Sequence, residues 1–342
     1  MEQILINERS EILIGRGTPD PFLPPRTSRT QAAVLAQPGA GEVADRTIRA
    51  IRSGGTPATL KVMPDGDAVK DMQVASSTYE WLAELNIGRH DTIVGVGGGA
   101  ITDFAGFIAG TWLRGVEAVY QSTTLLGAVD ASVGGKTGLN LRGKNLIGLF
   151  RHPSRVVIDV NGIEQLPEHL LREGFAEAIK AGFIADPGLV DLFDRSGGQP
   201  DLTQVITRAV RVKVDVVSAD FREEGRRGIL NYGHTIGHGI EVAAGISHGE
   251  AVAIGMVAAG AVSEIRCGFR GAARQRGLLE QLGLPVVSPG VDLDQVRRLI
   301  GLDKKRDAEG LRMALLEDFG RTKLVYVTDD DISVGLAAVG LV

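Results

Sequence analysis

The chain has 342 residues, 44% of them hydrophobic and 23% charged, enough apolar sequence for two domains with cores of their own. Its formal charge of -5 leaves no basic footprint and argues against a nucleic-acid partner. The single cysteine, Cys267, excludes an intrachain disulfide and a thiolate metal site, which fits a reducing compartment.

Met1-Glu2-Gln3-Ile4-Leu5 lacks the basic-then-apolar layout of a secretory leader, so the expected location is the cytoplasm. Residues 32–36 and 91–96 read as buried strands, the second opening into a glycine turn and a helix over about 100–113. Residues 116–121 and 155–159 read as further strands. Short β-rich runs alternating with amphipathic segments predict an α/β, Rossmann-like domain with a largely parallel sheet. From about Leu166 the apolar period becomes helical, with long helices predicted over 168–184, 201–218, 229–243 and 249–266. The longest uncharged apolar run, 251–263, is too short to cross a bilayer and reads as a buried helix, so no membrane partner is expected. A boundary near 161–167 gives an amino-terminal α/β domain over 1–162 and a mainly α-helical carboxy-terminal domain over 163–342.

Four stretches carry chemistry. Gly95-Val96-Gly97-Gly98-Gly99-Ala100-Ile101-Thr102-Asp103 lies between a strand and a helix, where bare backbone lets a diphosphate approach the amides at a helix amino terminus. Three consecutive glycines depart from the GxGxxG fingerprint, and a tight strand-to-helix turn would look the same. Pro64-Asp65-Gly66-Asp67-Ala68-Val69-Lys70 is a second turn carrying both charge signs, and taken alone it reads as a solvated loop. The run from Ser122 to Gly138, continuing through Asn140 and Gly143-Lys144-Asn145, presents Lys136, Lys144 and Asn145 on glycine-flanked backbone, an arrangement that commonly meets an anion. Asn231-Tyr232-Gly233-His234-Thr235-Ile236-Gly237-His238 and His248-Gly249-Glu250 gather three of the six histidines. His234 and His238 share one face of a helix, as a metal pair or as a polar helix–helix contact. The third histidine brings the metal reading level with the polar-contact reading, and a carboxylate is missing.

The GGGxxxD turn, the TTLL…D…GGKTG…GKN block, the GFAEAIK segment and the NYGHTIGH…HGEAV segment together resemble 3-dehydroquinate synthase and its sugar-phosphate-cyclase relatives, over nearly the whole chain. The resemblance implies that Glu177 of GFAEAIK supplies the missing carboxylate and joins His234 and His248 around zinc or cobalt. His238 then serves proton transfer or the phosphate side instead of the metal. It also implies a phosphorylated sugar acid, 3-deoxy-D-arabino-heptulosonate 7-phosphate, as substrate. Lys136, Lys180, Lys213, Arg227 and Asn231 match positions around it, Arg114, Lys144 and Asn145 are expected near its phosphate, and Lys304 or Lys305 supplies a further contact. NAD contacts carried over are Asp65, Asp67, Lys70, Gly98, Gly99, Asp103, Thr123 and Thr124, with Asp130, Lys136 and Lys144 toward the nicotinamide. A homodimer is implied, with Arg114 reaching the neighbouring subunit's site.

Ser122 stands where the family has proline, Gln165 where threonine is common, and the segments 136–144 and 238–248 are short. These departures leave the redox machinery intact and keep an amino-dehydroquinate synthase, or another cyclase of antibiotic biosynthesis, as an alternative. A rival from another reaction class is an iron-containing alcohol or glycerol dehydrogenase, with the same glycine turn and two-domain layout. It would carry an aspartate ligand and would not need the lysine cluster.

Overall fold

A computed structural model describes residues 1–7, 10–301, 306, 307 and 310–342. The chain divides into two compact units, Met1–Pro167 and Glu168–Val342.

The amino-terminal unit contains strands β1 (Glu2–Ile6), β2 (Ser10–Gly15) and β3 (Ala32–Ala36), helix α1 (Gly41–Ser53), β4 (Ala58–Val62), α2 (Met72–Glu84) and β5 (Thr92–Gly97). It continues through α3 (Gly99–Thr111), β6 (Glu117–Ser122), β7 (Lys136–Leu139), β8 (Ile147–Phe150), β9 (Arg155–Asp159) and α4 (Val160–Glu164). Seven strands form one sheet in the order β1-β2-β9-β6-β5-β3-β4, parallel except for the β1–β2 pair. β3 is wholly buried and reads AAVLA with no polar residue, as a strand covered on both faces requires. One face packs under α1, whose Ala44, Thr47, Ile48 and Ile51 recur at helical spacing over Val34, Val94, Val119 and Val157. The chain passes from β3 outward to β4 and returns to β5 on the other side. The strand order therefore reverses between β3 and β5, and the carboxyl ends of these strands flank the crevice where open α/β sheets bind ligands. The glycine turn begins there.

β7 and β8 pair as a separate antiparallel hairpin, Lys136 opposite Phe150. The GGKTG…GKN block is thus a ribbon and its tip, an arrangement that periodicity could not show because glycine has no face preference.

The carboxy-terminal unit is mainly helical: α5 (Glu168–Ala185), α6 (Pro187–Ser196), α7 (Leu202–Ala219), α8 (His234–Ala244), α9 (His248–Cys267), α10 (Ala272–Gln281), α11 (Leu293–Gly301) and α12 (Asp329–Ala338). To these it adds a three-stranded antiparallel sheet, β10 (Arg306–Asp307), β11 (Gly310–Asp318) and β12 (Arg321–Val327). α9 is its axis. Nearly every residue from Ala251 to Ala259 is fully buried, and the helix touches α5, α8, α10, α12 and β11. Each Val, Ile or Met so buried contributes roughly 1.5–3 kcal/mol of hydrophobic stabilisation. Among the described residues no helix is long and apolar enough to cross a membrane.

The helix expected over 229–243 is broken. Residues Arg226–Asn231 form a 3-10 stretch, Gly233 takes a left-handed φ of 80°, and α8 starts afresh at His234. Glycine can adopt that φ without steric penalty.

Candidate functional site

In the carboxy-terminal unit, α5 carries Glu177 and Lys180 on its buried face, each 3% exposed. α8 brings His234 at its first turn, and α9 brings His248 as its first residue after the Ser247 cap, which is locked by a capping box with Glu250. Small residues let these helices approach. A β-carbon at Gly255 of α9 would lie 1.9 Å from the Gly233 carbonyl oxygen, and one at Gly249 would lie 2.5 Å from the Glu173 Cα of α5. The helices therefore meet backbone to backbone, and one ligand atom from each of Glu177, His234 and His248 falls within 4.8 Å of the other two.

The ring nitrogens are sorted by their partners. His234 Nδ1 lies 3.1 Å from the Tyr232 carbonyl oxygen, and His248 Nδ1 lies 3.0 Å from Glu241 Oε2. Each of these bonds needs a proton on Nδ1, so Nε2 is the ring atom that each histidine can offer a metal. Both Nε2 atoms face Glu177 Oε1, at 3.4 and 3.5 Å, long for hydrogen bonds. Both Glu177 oxygens are buried without a hydrogen bond of normal geometry, although the Lys180 ammonium pairs with Oε2. Two imidazole Nε2 atoms and a buried carboxylate, converging from three helices, fit a divalent cation with open positions.

The electrostatics agree. Burial alone would raise the Glu177 carboxyl, but the Lys180 charge and the His248 ring outweigh it and hold it at about 2. Burial works against a charge on His248, yet Glu177 and Glu241 push its imidazole up to about 10. Both shifts express one field: two carboxylates around a ring attract positive charge, as a proton or as a metal ion.

His238 is exposed and stacks edge to face against His234 at 5.1 Å between ring centroids. It shares Glu241 and His248 as neighbours, not Glu177. Lys213 on α7 and Arg227 are buried. Asp220 builds the loop that presents Arg227, accepting from the backbone amides of Glu224, Gly225 and Arg227 at 2.9–3.0 Å. Arg227 Nη1 donates to the Phe221 carbonyl at 2.7 Å, and Asn231 Nδ2 to Glu223 Oε1 at 3.1 Å. The Arg226–Asn231 stretch packs on α5 and α7. Lys304 and Lys305 lie outside the described residues.

In the amino-terminal unit, α3 begins at Gly99 with no side chain capping its first turn, which leaves amide donors and the positive end of the helix dipole open to an anion. A β-carbon at Gly99 would strike the Ala131 β-carbon at 2.7 Å, so the turn also needs glycine for packing. Thr123 donates its amide to the Gly97 carbonyl, and Thr124 Oγ1 accepts from the Gly127 amide at 3.0 Å, tying the glycine turn to the segment that carries Asp130. Lys70 is buried and donates to Asp103 Oδ2 at 2.6 Å and to Asn145 Oδ1 at 3.0 Å. Burial raises the Asp103 carboxyl; Lys70 opposes this, while Asp130 and Asp67 add to it, and the net shift is upward. Asp65 precedes the 3-10 turn Gly66–Lys70, where Asp67 faces the exposed Lys144 at 4.0 Å. Lys136 opens β7 and is exposed. Arg114 is not brought to this group. It sits exposed at the start of β6, a strand length of roughly 20 Å from Thr123 at the other end.

Two residues escaped sequence reasoning. Glu241 follows His234 by seven positions, two helical turns on the same face, and that spacing was its signal. Gln37, at the end of β3, holds the 64–66 loop by donating to the Pro64 and Gly66 carbonyls at 3.2 and 2.9 Å; nothing local marks it.

Residues 60–173 match the family described as 3-dehydroquinate synthase N-terminal, and 174–306 match 3-dehydroquinate synthase C-terminal. A 3-dehydroquinate synthase from Paenarthrobacter aurescens is 40% identical over 96% of this chain and 93% of its own. Among solved structures, 2-deoxy-scyllo-inosose synthase complexed with carbaglucose-6-phosphate, NAD+ and Co2+ is 25% identical with a TM-score of 0.86, covering 98% of each chain. The 2-epi-5-epi-valiolone synthase of Streptomyces hygroscopicus, with NAD+ and Zn2+ bound, is also 25% identical, with a TM-score of 0.82 over 91% of each chain.

Proposed function

Because the chain belongs to the 3-dehydroquinate synthase family, we infer that it converts 3-deoxy-D-arabino-heptulosonate 7-phosphate to 3-dehydroquinate with loss of phosphate. The observation that carries this reading is the convergence of Glu177 with the Nε2 atoms of His234 and His248. A glutamate and two histidines suit a catalytic zinc or cobalt ion, and Lys180 beside them supplies a cation for an acidic substrate. When bound, the metal acts as a Lewis acid on adjacent substrate hydroxyls and NAD as a reversible hydride acceptor.

The chain's own residues do the rest. Glu177, His234 and His248 hold the metal. Lys180, Lys213 and Arg227 are buried cations in a protein of net negative charge, suited to orient an anionic substrate; Asn231, Lys136, Lys144 and Asn145 add donors for its carboxylate and phosphate. His238 is exposed and outside the ligand triad, and it moves a proton near the phosphate. Asp65, Asp67, Lys70, Asp103, Asp130, Thr123 and Thr124 shape the dinucleotide site, with the open helix end at Gly98 and Gly99 for the diphosphate. Arg114, distant from this group in its own chain, serves the site of a second copy in a cytoplasmic homodimer.

Phosphate release from protein supplied with NAD and zinc or cobalt tests the reading, with heptulosonate 7-phosphate compared against its amino analogue. Release from the former without accumulating NADH is expected. Strong preference for the amino analogue would move the protein to antibiotic-precursor synthesis, and NADH without phosphate would make it a dehydrogenase.

A further inference from the structure

We propose that Glu241 is the positioning residue of the metal centre, and that its carboxylate selects His248 over His238 as the third ligand. The proposal rests on the metal reading above and adds to it a residue outside the Glu177, His234 and His248 set.

Three histidine rings crowd this corner, with centroids 5.1, 5.3 and 5.9 Å apart. Spacing along α8 makes His234 and His238 the natural pair, so something other than spacing must recruit His248 from the next helix. Glu241 supplies it. Its side chain is 11% exposed, and Oε2 accepts from His248 Nδ1 at 3.0 Å. That bond fixes the His248 tautomer, aims Nε2 at Glu177 and raises its basicity, as a carboxylate behind a ligand histidine does. The Nδ1 of His234, by contrast, has the neutral Tyr232 carbonyl behind it. The two ligand imidazoles are therefore unequal, and His248 is the stronger donor. His238 stands one helical turn before Glu241, and each of His238, Glu241 and His248 offers an atom within 4.8 Å of the other two. Glu241 thus lies between the ring that binds and the ring that does not. Its carboxylate anchors the His248 ring toward Glu177, while His238 stays exposed beside it.

The test measures zinc affinity of the purified full chain by competition with a chromophoric chelator, and the visible spectrum of the cobalt-loaded protein. Wild type is compared with Glu241→Ala, Glu241→Gln and His238→Ala, and thermal unfolding of each metal-free protein reports the fold. Glu241→Ala is expected to lose about 10–100-fold in zinc affinity and to shift the cobalt bands. Glu241→Gln should recover part of that loss, because its amide oxygen still accepts from Nδ1–H without the charge. His238→Ala should keep wild-type affinity. Undiminished affinity in Glu241→Ala would overturn the proposal, as would an equal loss in His238→Ala. Should the alanine variant not fold, Glu241→Gln decides: wild-type affinity with an unchanged spectrum would overturn the claim for a charged partner. A wild-type chain that binds neither metal would refute the metal centre itself, a separate outcome.

Discussion

Gly255→Ala tests whether close helix approach builds the metal centre. The added methyl would sit 1.9 Å from the Gly233 carbonyl oxygen and 2.8 Å from the Gly237 amide nitrogen. Both are backbone atoms that cannot rotate aside. Ordinary contact begins near 3.4 Å, so α8 and α9 would have to separate by about 1.5 Å. Overpacking a buried site costs about 1–3 kcal/mol, and a backbone clash belongs at the upper end. With about 2–4 °C of melting temperature per kcal/mol for a unit of this size, the expected fall is roughly 6–12 °C. Gly233 directly precedes His234, so the separation also moves a ligand by far more than the roughly 0.2 Å that a metal site tolerates. The assay is thermal unfolding of the metal-free protein together with zinc affinity by chelator competition, both of which should fall. Gly277→Ala is the matched control. It lies exposed on α10 with open space around it, and the change should stabilise by about 0.5–1 kcal/mol. A Gly255→Ala protein with wild-type melting temperature and metal affinity would refute the packing argument.

Three further outcomes are expected. Lys136→Ala should depress turnover through a lost substrate contact while zinc content stays at the wild-type level; a parallel loss of zinc would contradict that role. Lys70→Met leaves the Asp103 carboxylate without its buried ammonium partner, so destabilisation of about 3 kcal/mol at neutral pH is expected in denaturant unfolding, with weaker NAD binding by titration. Equal stability would show the pair to be dispensable. Asp91 accepts from the Gly88, Thr30 and Gln31 amides and the Thr30 hydroxyl at 2.8–3.0 Å. Burial opposes its charge, but these bonds prevail and hold its carboxyl below the usual range. Its contribution is therefore complete above the unfolded value of about 3.9 and is lost as pH falls through the lower folded value. Asp91→Ala should cost about 2–4 kcal/mol at pH 7, and the gap to wild type should narrow on acidification; a gap independent of pH would contradict the assignment.

The sheet strands were legible because buried parallel strands are nearly pure apolar runs: β3 and β9 coincide with the predicted bounds. The long helices were legible from their period. The break at Tyr232-Gly233 was not, since a glycine among helix formers signals a stop only when its neighbours force a positive φ. β11 and β12 also went unread: β11 buries Met313 to Leu316 in succession, so no two-residue alternation marks a strand on either side of the tight turn Phe319-Gly320. At the site, the sequence showed the histidines but could not derive Glu177 from them, because the carboxylate lies on a different helix and arrives by packing. For the same reason, four-residue spacing points to His238 as a ligand, whereas Glu177 faces His234 and His248. Only resemblance to a family bridged that gap, and Glu241, outside the quoted motifs, was marked by nothing but its two-turn spacing from His234.

The central claim is that Glu177, His234 and His248 form the metal centre of a cyclase that uses NAD without consuming it. The most direct measurement strips the protein of metal and titrates zinc or cobalt back, following phosphate release and NADH together in wild type and in Glu177→Gln. The account predicts that wild-type phosphate release returns and saturates at one metal per chain with no NADH accumulating, while Glu177→Gln stays folded and inactive. Phosphate release from metal-free protein, or full activity in Glu177→Gln, would contradict it.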